Sequence, residues 1–364
     1  MYIAHVREHD KEIQPLKTHL LGVQRFAELF GEKLGLKHVA GLAGLLHDLG
    51  KYSDKFQEYI DIVAFHPEMP QPKRGEVDHS TAGGRLLFSL LHRPESSFYE
   101  KLLAEIVGNA IISHHSNLQD YLSPDIESDY LRRVQDKILP EYELTIDRFF
   151  KDTISREELI DYMNAAVDEL KLFTDYSPTQ SFFVTKYIFS CLIDADRTDT
   201  QRFEEQNETE ESVQHLLLFE DYYDRLLAHL ATLREKSDAS EPINVLRAQM
   251  SEQCDVFAAE RPSGIYTLSI PTGGGKTLAS LRYALRHAFE YKKQRIIYVV
   301  PYTTIIEQNA EEVRKVLQDH EHILEHHSNI IEEDPADQDN SDEADDGMIT
   351  DKEKLKLARD NWDS

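Results

Sequence analysis

Apolar residues recur at helical spacing through the first 235 residues. In "THLLGVQRFAELFGEKLGL" (18 to 36), Leu20, Val23, Ala27, Phe30 and Leu34 fall on one stripe, the three-and-four spacing of an amphipathic helix. "KHVAGLAGLLHDLGKYSDKFQEYI" is a second, more apolar candidate. "DHSTAGGRLLFSLL", "EKLLAEIVGNAIISHH", "REELIDYMNAAVDELKLF" and "SFFVTKYIFSCLIDADR" follow, and "FEDYYDRLLAHLATLREK" closes the series. No β-rich alternation and no internal repeat interrupts it. After the polar, proline-bearing "KSDASEPIN" (236 to 244) the pattern changes. "GIYTLSI" (264 to 270) is a short β-rich run, "PTGGGKT" a glycine-rich turn and "TLASLRYALRHAFEY" a helix. "QRIIYVVP" (294 to 301) is a second apolar run and "TTIIEQNAEEVRKVLQ" another helix. Strand, loop, helix, strand, helix opens a parallel α/β sheet. The pattern therefore predicts an all-helical domain over 1–235, a linker over 236–244, and the first part of an α/β domain over 245–364.

Composition narrows the class. At 364 residues the chain is too long for one ordinary domain. Two cysteines without CxxC spacing, Cys191 and Cys254, argue against a disulfide framework or a zinc ribbon. The N-terminus is polar and charged, and no apolar run approaches the ~20 residues of a membrane span. A cytoplasmic protein without a membrane partner is expected. The net charge of −27 offers no general basic footprint for nucleic acid. Part of the excess lies in "EEDPADQDNSDEADD" (332 to 346), predicted to be a flexible acidic insert near 331–347. The rest stays acidic, so contact with nucleic acid must be local or shielded by metal ions.

"IPTGGGKT" carries the ingredients of a phosphate loop. Backbone N–H groups of Thr272, Gly273, Gly274 and Gly275 can wrap phosphates, Lys276 reaches the β- and γ-phosphates, and Thr277 holds Mg²⁺. The strict G-x4-G-K-[ST] spacing is not met, because the first glycine position falls on Ile270. "PTGGGKT" is instead the form of superfamily 2 helicases, so Mg-ATP is the expected ligand. Turnover also needs an acidic residue on a later strand. None follows before Ser364, and residues 241–364 are expected to be the opening of a motor domain cut from a longer protein.

The helical half poses a sharper question. Leu45, Leu46 and Leu49 mark a core face, yet His47 and Asp48 sit within it and Lys51 follows. Adjacent helical side chains diverge by about 100°, so both can reach one point only near a helix end or against a shared cavity. Gly50 makes an end plausible, and Lys51 is placed where its charge can meet a phosphate. His19 opens the first amphipathic helix, His79 sits in "VDHSTAGG", and His114 and His115 end an apolar helix. Asp194 and Asp196 terminate the greasy "FFVTKYIFSCLIDADR", where a carboxylate is costly without a partner such as a metal. A second histidine cluster, His320, His322, His326 and His327, reads as a surface segment.

The order His19, His47-Asp48, His79, His114-His115, Asp196, with a helicase phosphate loop behind it, resembles the HD nuclease–helicases of type I CRISPR systems. That resemblance implies an all-helical HD domain with a two-metal site that cuts single-stranded DNA, followed by a RecA-like P-loop motor. By motif matching, His19, His47, Asp48 and Asp196 hold one metal. Asp48 bridges to a second held with His79, His114 and His115. Asp194 stands two residues before Asp196, but the residue after alanine fits the family pattern. Asp48 and Lys51 are the expected catalytic residues. Five imidazoles favour Mn²⁺, Co²⁺, Ni²⁺ or Fe²⁺ over Mg²⁺. The family also implies ATP-dependent DNA unwinding by the full-length protein and recruitment by a Cascade-like CRISPR surveillance complex with its crRNA, in antiviral defence. Two other functions fit fewer of these residues: an HD phosphohydrolase acting on nucleotides, and a non-catalytic recruitment module.

Overall fold

The computed structural model describes residues 1–7, 9–73, 75–174, 178–205, 214–236, 240–320 and 322–325. The acidic stretch 332–346, with His326 and His327, lies outside the described residues. Two compact units divide the chain, the first running from the N-terminus through α9 and the second from α10 onward.

The first unit opens with a hairpin, β1 (Ile3–Val6) antiparallel to β2 (Ile13–Pro15). Helices α1 (Leu16–Glu32) and α2 (Lys37–Leu46) follow, then a 3-10 turn (Leu49–Tyr52) and α3 (Asp54–Phe65). Next come α4 (Thr81–Leu91), α5 (Phe98–Ser113), the short α6 (Asp129–Leu131) and a π-helical turn (Arg132–Asp136). The unit closes with α7 (Tyr142–Asp152), α8 (Arg156–Thr174) and α9 (Pro178–Glu205). The stripe on α1 buries Leu20, Val23 and Ala27 against α2, whose Leu42, Leu45 and Leu46 are fully buried. Each such side chain contributes about 1.5–3 kcal/mol relative to exposure. Termini are set locally: Ser53 caps α3 by accepting from Phe56 N, and Ser97 and Glu100 form a capping box on α5.

The second unit contains α10 (Gln214–Lys236), α11 (Pro242–Glu260), α12 (Lys276–Glu290) and α13 (Thr303–Leu317). Its first helix departs from the boundary that linker composition predicts at 235/236. Phe219, Tyr222 and Leu226 of α10 pack with Leu281 and Leu285 of α12 and with Val316 and Leu317 of α13. An amphipathic stripe states that a helix has a buried face, not which unit buries it.

The helical character of the first half follows the periodicity, and α12 and α13 lie where helices were expected after the glycine loop. The β-rich runs 264–270 and 294–301 differ from expectation in detail: among the described residues neither is a strand, and the hairpin β1–β2 is the only sheet. Parallel strands are stable when both faces are covered. Here Ile265, Leu268, Ile297 and Val299 are exposed, so these runs have not acquired the neighbours that would pair and cover them.

Candidate metal centre

The candidate helix 37–60 ends at the HD pair, close to the end that Gly50 suggested: His47 closes α2 and Asp48 precedes the 3-10 turn. The break removes the divergence of neighbouring helical side chains and lets both face one place. Gly50 sits at the closest approach. Its N–H donates to the His79 carbonyl at 3.0 Å, and a Cβ there would lie 2.3 Å from that oxygen. The segment leading into α4 is thereby pinned on the HD turn, which brings His79 to Asp48.

The predicted ligands come together around Asp48. Its Oδ2 lies 3.3 Å from His47 Nε2 and 3.5 Å from His19 Nε2, and its Oδ1 lies 3.3 Å from His114 Nε2 and 3.7 Å from His79 Nε2. Asp196, from α9, places Oδ1 3.4 Å from His19 Nε2 and 3.6 Å from His47 Nε2. His115 Nε2 is 2.5 Å from His79 Nε2, so these two rings aim at one point. Two ligand groups result: Asp48 with His79, His114 and His115, and Asp48 with His19 and His47. Asp196 also groups with His47 and His114, and with His5 and His19, whereas Asp194 belongs to none of these groups.

Four of the five rings are fixed from behind. Nδ1 of His47 faces Gly44 O at 2.8 Å, that of His114 faces Ile111 O at 2.6 Å, and that of His79 faces Val77 O at 3.1 Å. His19 Nδ1 faces the Asp199 carboxylate at 2.8 Å, which also accepts from Gln14 Nε2 at 2.8 Å. A ring donating from Nδ1 presents its lone pair at Nε2. Nε2 of His19, His47 and His114 and Oδ1 of Asp48 are buried without a hydrogen-bond partner. Orphaned buried atoms of this kind cost about 1–3 kcal/mol each. Four converging on one place fit a cation, and imidazoles mixed with carboxylates suit a divalent transition metal.

Electrostatics divide the cluster. Burial opposes charge on His19, but the neighbouring Asp196, Asp199 and Asp48 carboxylates outweigh it and raise its pKa to about 10. Burial likewise opposes charge on His47, and the nearby Asp48 and Asp196 carboxylates raise it to about 9. Burial lowers His79 to about 4 against the pull of Asp48, and lowers His115 to about 3 with His114 adding to the effect. Despite burial, Asp48 is held well below the carboxylate range by His47 and Lys51. With no cation bound, imidazolium and ammonium groups neutralise the carboxylates, and a divalent ion must displace those protons.

Lys51 is not presented to a substrate. It is buried, with Nζ 2.7 Å from Asp48 Oδ2, donating to Ala4 O at 3.2 Å and lying 3.3 Å from His5 Nε2. Its role in this arrangement is to offset the Asp48 charge. His5 and Asp199 were not singled out in the sequence. His5 arrives on β1, a strand of four residues, too short to show alternation. Asp199 did leave a signal, since it follows Asp196 by one helical turn on α9. The floor of the site is dry, with His19 and His47 fully buried. Its rim is open: the side chains of His79 and Asp196 are 17% and 20% exposed, and His115 is exposed.

Residues 16–147 match the family model "HD domain", and residues 229–362 match "Type III restriction enzyme, res subunit". The chain joins an HD domain to a helicase-like domain. Three solved structures of T. fusca Cas3, described as Cas3, Cas3-ATP and Cas3-AMPPNP, are similar to it at 14, 17 and 16% identity, with TM-scores of 0.38, 0.41 and 0.40. Each match covers 87% of this chain and 37% of the Cas3 chain, so the chain spans little more than a third of those proteins. No curated protein matches it.

In the helicase-like domain, Gly275 adopts the left-handed conformation (φ 80°) immediately before α12, which begins at Lys276. Thr272, Gly273 and Gly274 form the turn ahead of it. Arg247 of α11 donates from Nε and Nη2 to the Gly273 carbonyl at 2.9 and 2.7 Å, tying the loop to that helix. Lys276 is exposed and Thr277 half-buried, at a helix N-terminus whose unpaired N–H groups favour an anion. His322 instead pairs with Asp319 at 3.0 Å. No helix among the described residues is long and apolar enough to cross a membrane.

Proposed function

We propose that the HD domain is a metal-dependent nuclease that cuts single-stranded DNA. It acts beside an ATP-driven helicase motor in CRISPR antiviral defence. The observation that carries this reading is the convergence of His19, His47, Asp48, His79, His114, His115 and Asp196, four of them with a buried unpartnered atom there, in an HD domain followed by a helicase-like one. His19, His47, Asp48 and Asp196 hold one divalent transition metal, and Asp48, His79, His114 and His115 a second. When bound, two such cations supply the positive charge that a scissile phosphodiester needs and acidify water. The chain's own residues do the rest. Asp48, ionised and central, belongs to both ligand groups. Lys51 offsets its charge from below. Hydrogen bonds at Nδ1 of His19, His47, His79 and His114 keep those rings from turning.

The open rim supports a polymer substrate, since a site for free nucleotides would be a closed pocket. Local cationic charge also lets an acidic chain accept DNA. Thr272, Gly273, Gly274, Gly275, Lys276 and Thr277 take Mg-ATP in the same account. Its partners are single-stranded DNA and a Cascade-like surveillance complex with crRNA, in the cytoplasm.

The test is cleavage of circular single-stranded DNA with Mn²⁺, Ni²⁺ or Mg²⁺ and without ATP, beside Asp48→Ala. Cleavage that needs a transition metal and disappears with chelator and in Asp48→Ala supports the reading. Cleavage that survives in Asp48→Ala, or no cleavage under any metal by folded protein, counts against it.

A further inference from the structure

We propose that Arg133 is the positioning residue of the His79–His114–His115 half of the site, bracing that half separately from the half containing His19, His47 and Asp196. The inference rests on the metal-dependent reading above and deepens it.

Arg133 lies on the π-helical turn Arg132–Asp136, a rare local form that recurs at functional sites. Its guanidinium reaches two different helix ends at once. Nε donates to Thr81 Oγ1 at 3.0 Å, and Nη2 donates to Thr81 Oγ1 at 2.7 Å and to Ser80 Oγ at 2.8 Å. Nη1 donates to the Ile112 carbonyl at 2.5 Å. Ser80 and Thr81 directly follow His79 at the start of α4. Ile112 precedes His114 by two residues, and its carbonyl is among the last four of α5, which no later helical N–H can satisfy. A planar guanidinium with donors in a fixed fork sets the distance between such groups better than a flexible ammonium can.

The turn carrying Arg133 is held in its own right. Arg85, from α4, donates to the carbonyls of Val134 at 3.0 Å and Arg133 at 2.9 Å, and also to that of Lys137. Asp78, beside His79, accepts from Thr81 N at 3.0 Å and Thr81 Oγ1 at 2.6 Å and pairs with Lys137. On the other side of Asp48 the brace is different: His19 rests on Asp199, and Asp199 on Gln14. Arg133 contacts hydroxyls and a carbonyl in these bonds rather than a ligand atom, so it acts on a cation only through His79, His114 and His115.

The experiment uses the full chain and Mn²⁺ as the probe, read by calorimetric stoichiometry and by electron paramagnetic resonance. Wild type should bind two ions and give the spectrum of a close pair. Arg133→Ala should keep one ion near wild-type affinity, lose the other by roughly ten- to a hundredfold, and give the spectrum of an isolated ion. Arg133→Lys, which keeps the charge without the fork, should recover part of the loss and guards against misfolding of the alanine variant. Retention of both affinities in Arg133→Ala overturns the inference alone. So does equal loss of both ions in a variant that melts like wild type after chelation. Wild type that binds no Mn²⁺ overturns the metal reading and this inference with it.

Discussion

Removing the carboxylate behind His19 tests how the site is held. Asp199→Ala deletes an acceptor 2.8 Å from both His19 Nδ1 and Gln14 Nε2. His19 is fully buried and Gln14 is 5% exposed, so two buried donors lose their partner. A buried unsatisfied donor costs about 1–3 kcal/mol. The Asp199 side chain is 12% exposed, which admits water to part of the vacated space. The lower half of that range, about 1–2 kcal/mol, applies to each donor, giving a loss of about 2–4 kcal/mol in the chelated protein. A carboxylate behind a metal-bound histidine fixes its ring and raises its basicity, and its loss weakens metal binding about 10–100-fold, or roughly 1.4–2.8 kcal/mol. Asn at the same position still accepts from His19 through its carbonyl oxygen, so Asp199→Asn should keep most of the stability and lose part of the affinity. Urea unfolding of chelated protein and calorimetric titration with Mn²⁺ read the two effects separately. Asp199→Ala that loses stability but binds Mn²⁺ as tightly as wild type would refute the reasoning, leaving Asp199 a packing residue only.

Three further outcomes follow from particular contacts. Gly50→Ala forces a Cβ to 2.3 Å from the His79 carbonyl; the displacement should cost about 1–3 kcal/mol in thermal unfolding and weaken Mn²⁺ binding in calorimetry. Lys276→Ala should lose most affinity for a fluorescent ATP analogue in the presence of Mg²⁺, measured by anisotropy, because it removes the cation placed at the α12 N-terminus. Burial works against ionisation of Asp319, but hydrogen bonds from His322 N and Tyr222 Oη hold its carboxyl below the ordinary 3.8. A depressed folded pKa contributes stability above the unfolded value, lost as pH falls through the folded one. Wild type should therefore lose more stability than Asp319→Asn as pH drops below about 4, and parallel melting curves for the two proteins would contradict this.

The first-half helices were legible because their apolar stripes are long and regular, and Leu20, Val23 and Ala27 are buried as their spacing requires. The clustering of His19, His47, Asp48, His79, His114, His115 and Asp196 was legible from their order along the chain rather than from any one of them, since a lone histidine or carboxylate at a helix end is as easily structural. What escaped notice had a physical reason in each case. The helix end near Gly50 was expected, but the contact of Gly50 with the His79 carbonyl that pins His79 there is a tertiary one that no local propensity encodes. Lys51 was placed toward a phosphate because the β1 contacts, Ala4 O and His5, that close over it beside Asp48 are far off in sequence. The packing of α10 on α12 and α13 depends on a face that an amphipathic pattern leaves unnamed. The runs 264–270 and 294–301 have strand composition, but a ladder also needs neighbours, and composition does not supply them.

In the proposed site Asp48 lies between two cations held by one cluster. Diffraction from crystals of this chain soaked in Mn²⁺, collected at the manganese absorption edge, tests it most directly. Two anomalous peaks about 3.5–4 Å apart, one beside His19, His47 and Asp196 and the other beside His79, His114 and His115, with Asp48 touching both, are the predicted result. No peak in the cluster, or strong peaks only elsewhere on the chain, would contradict the account.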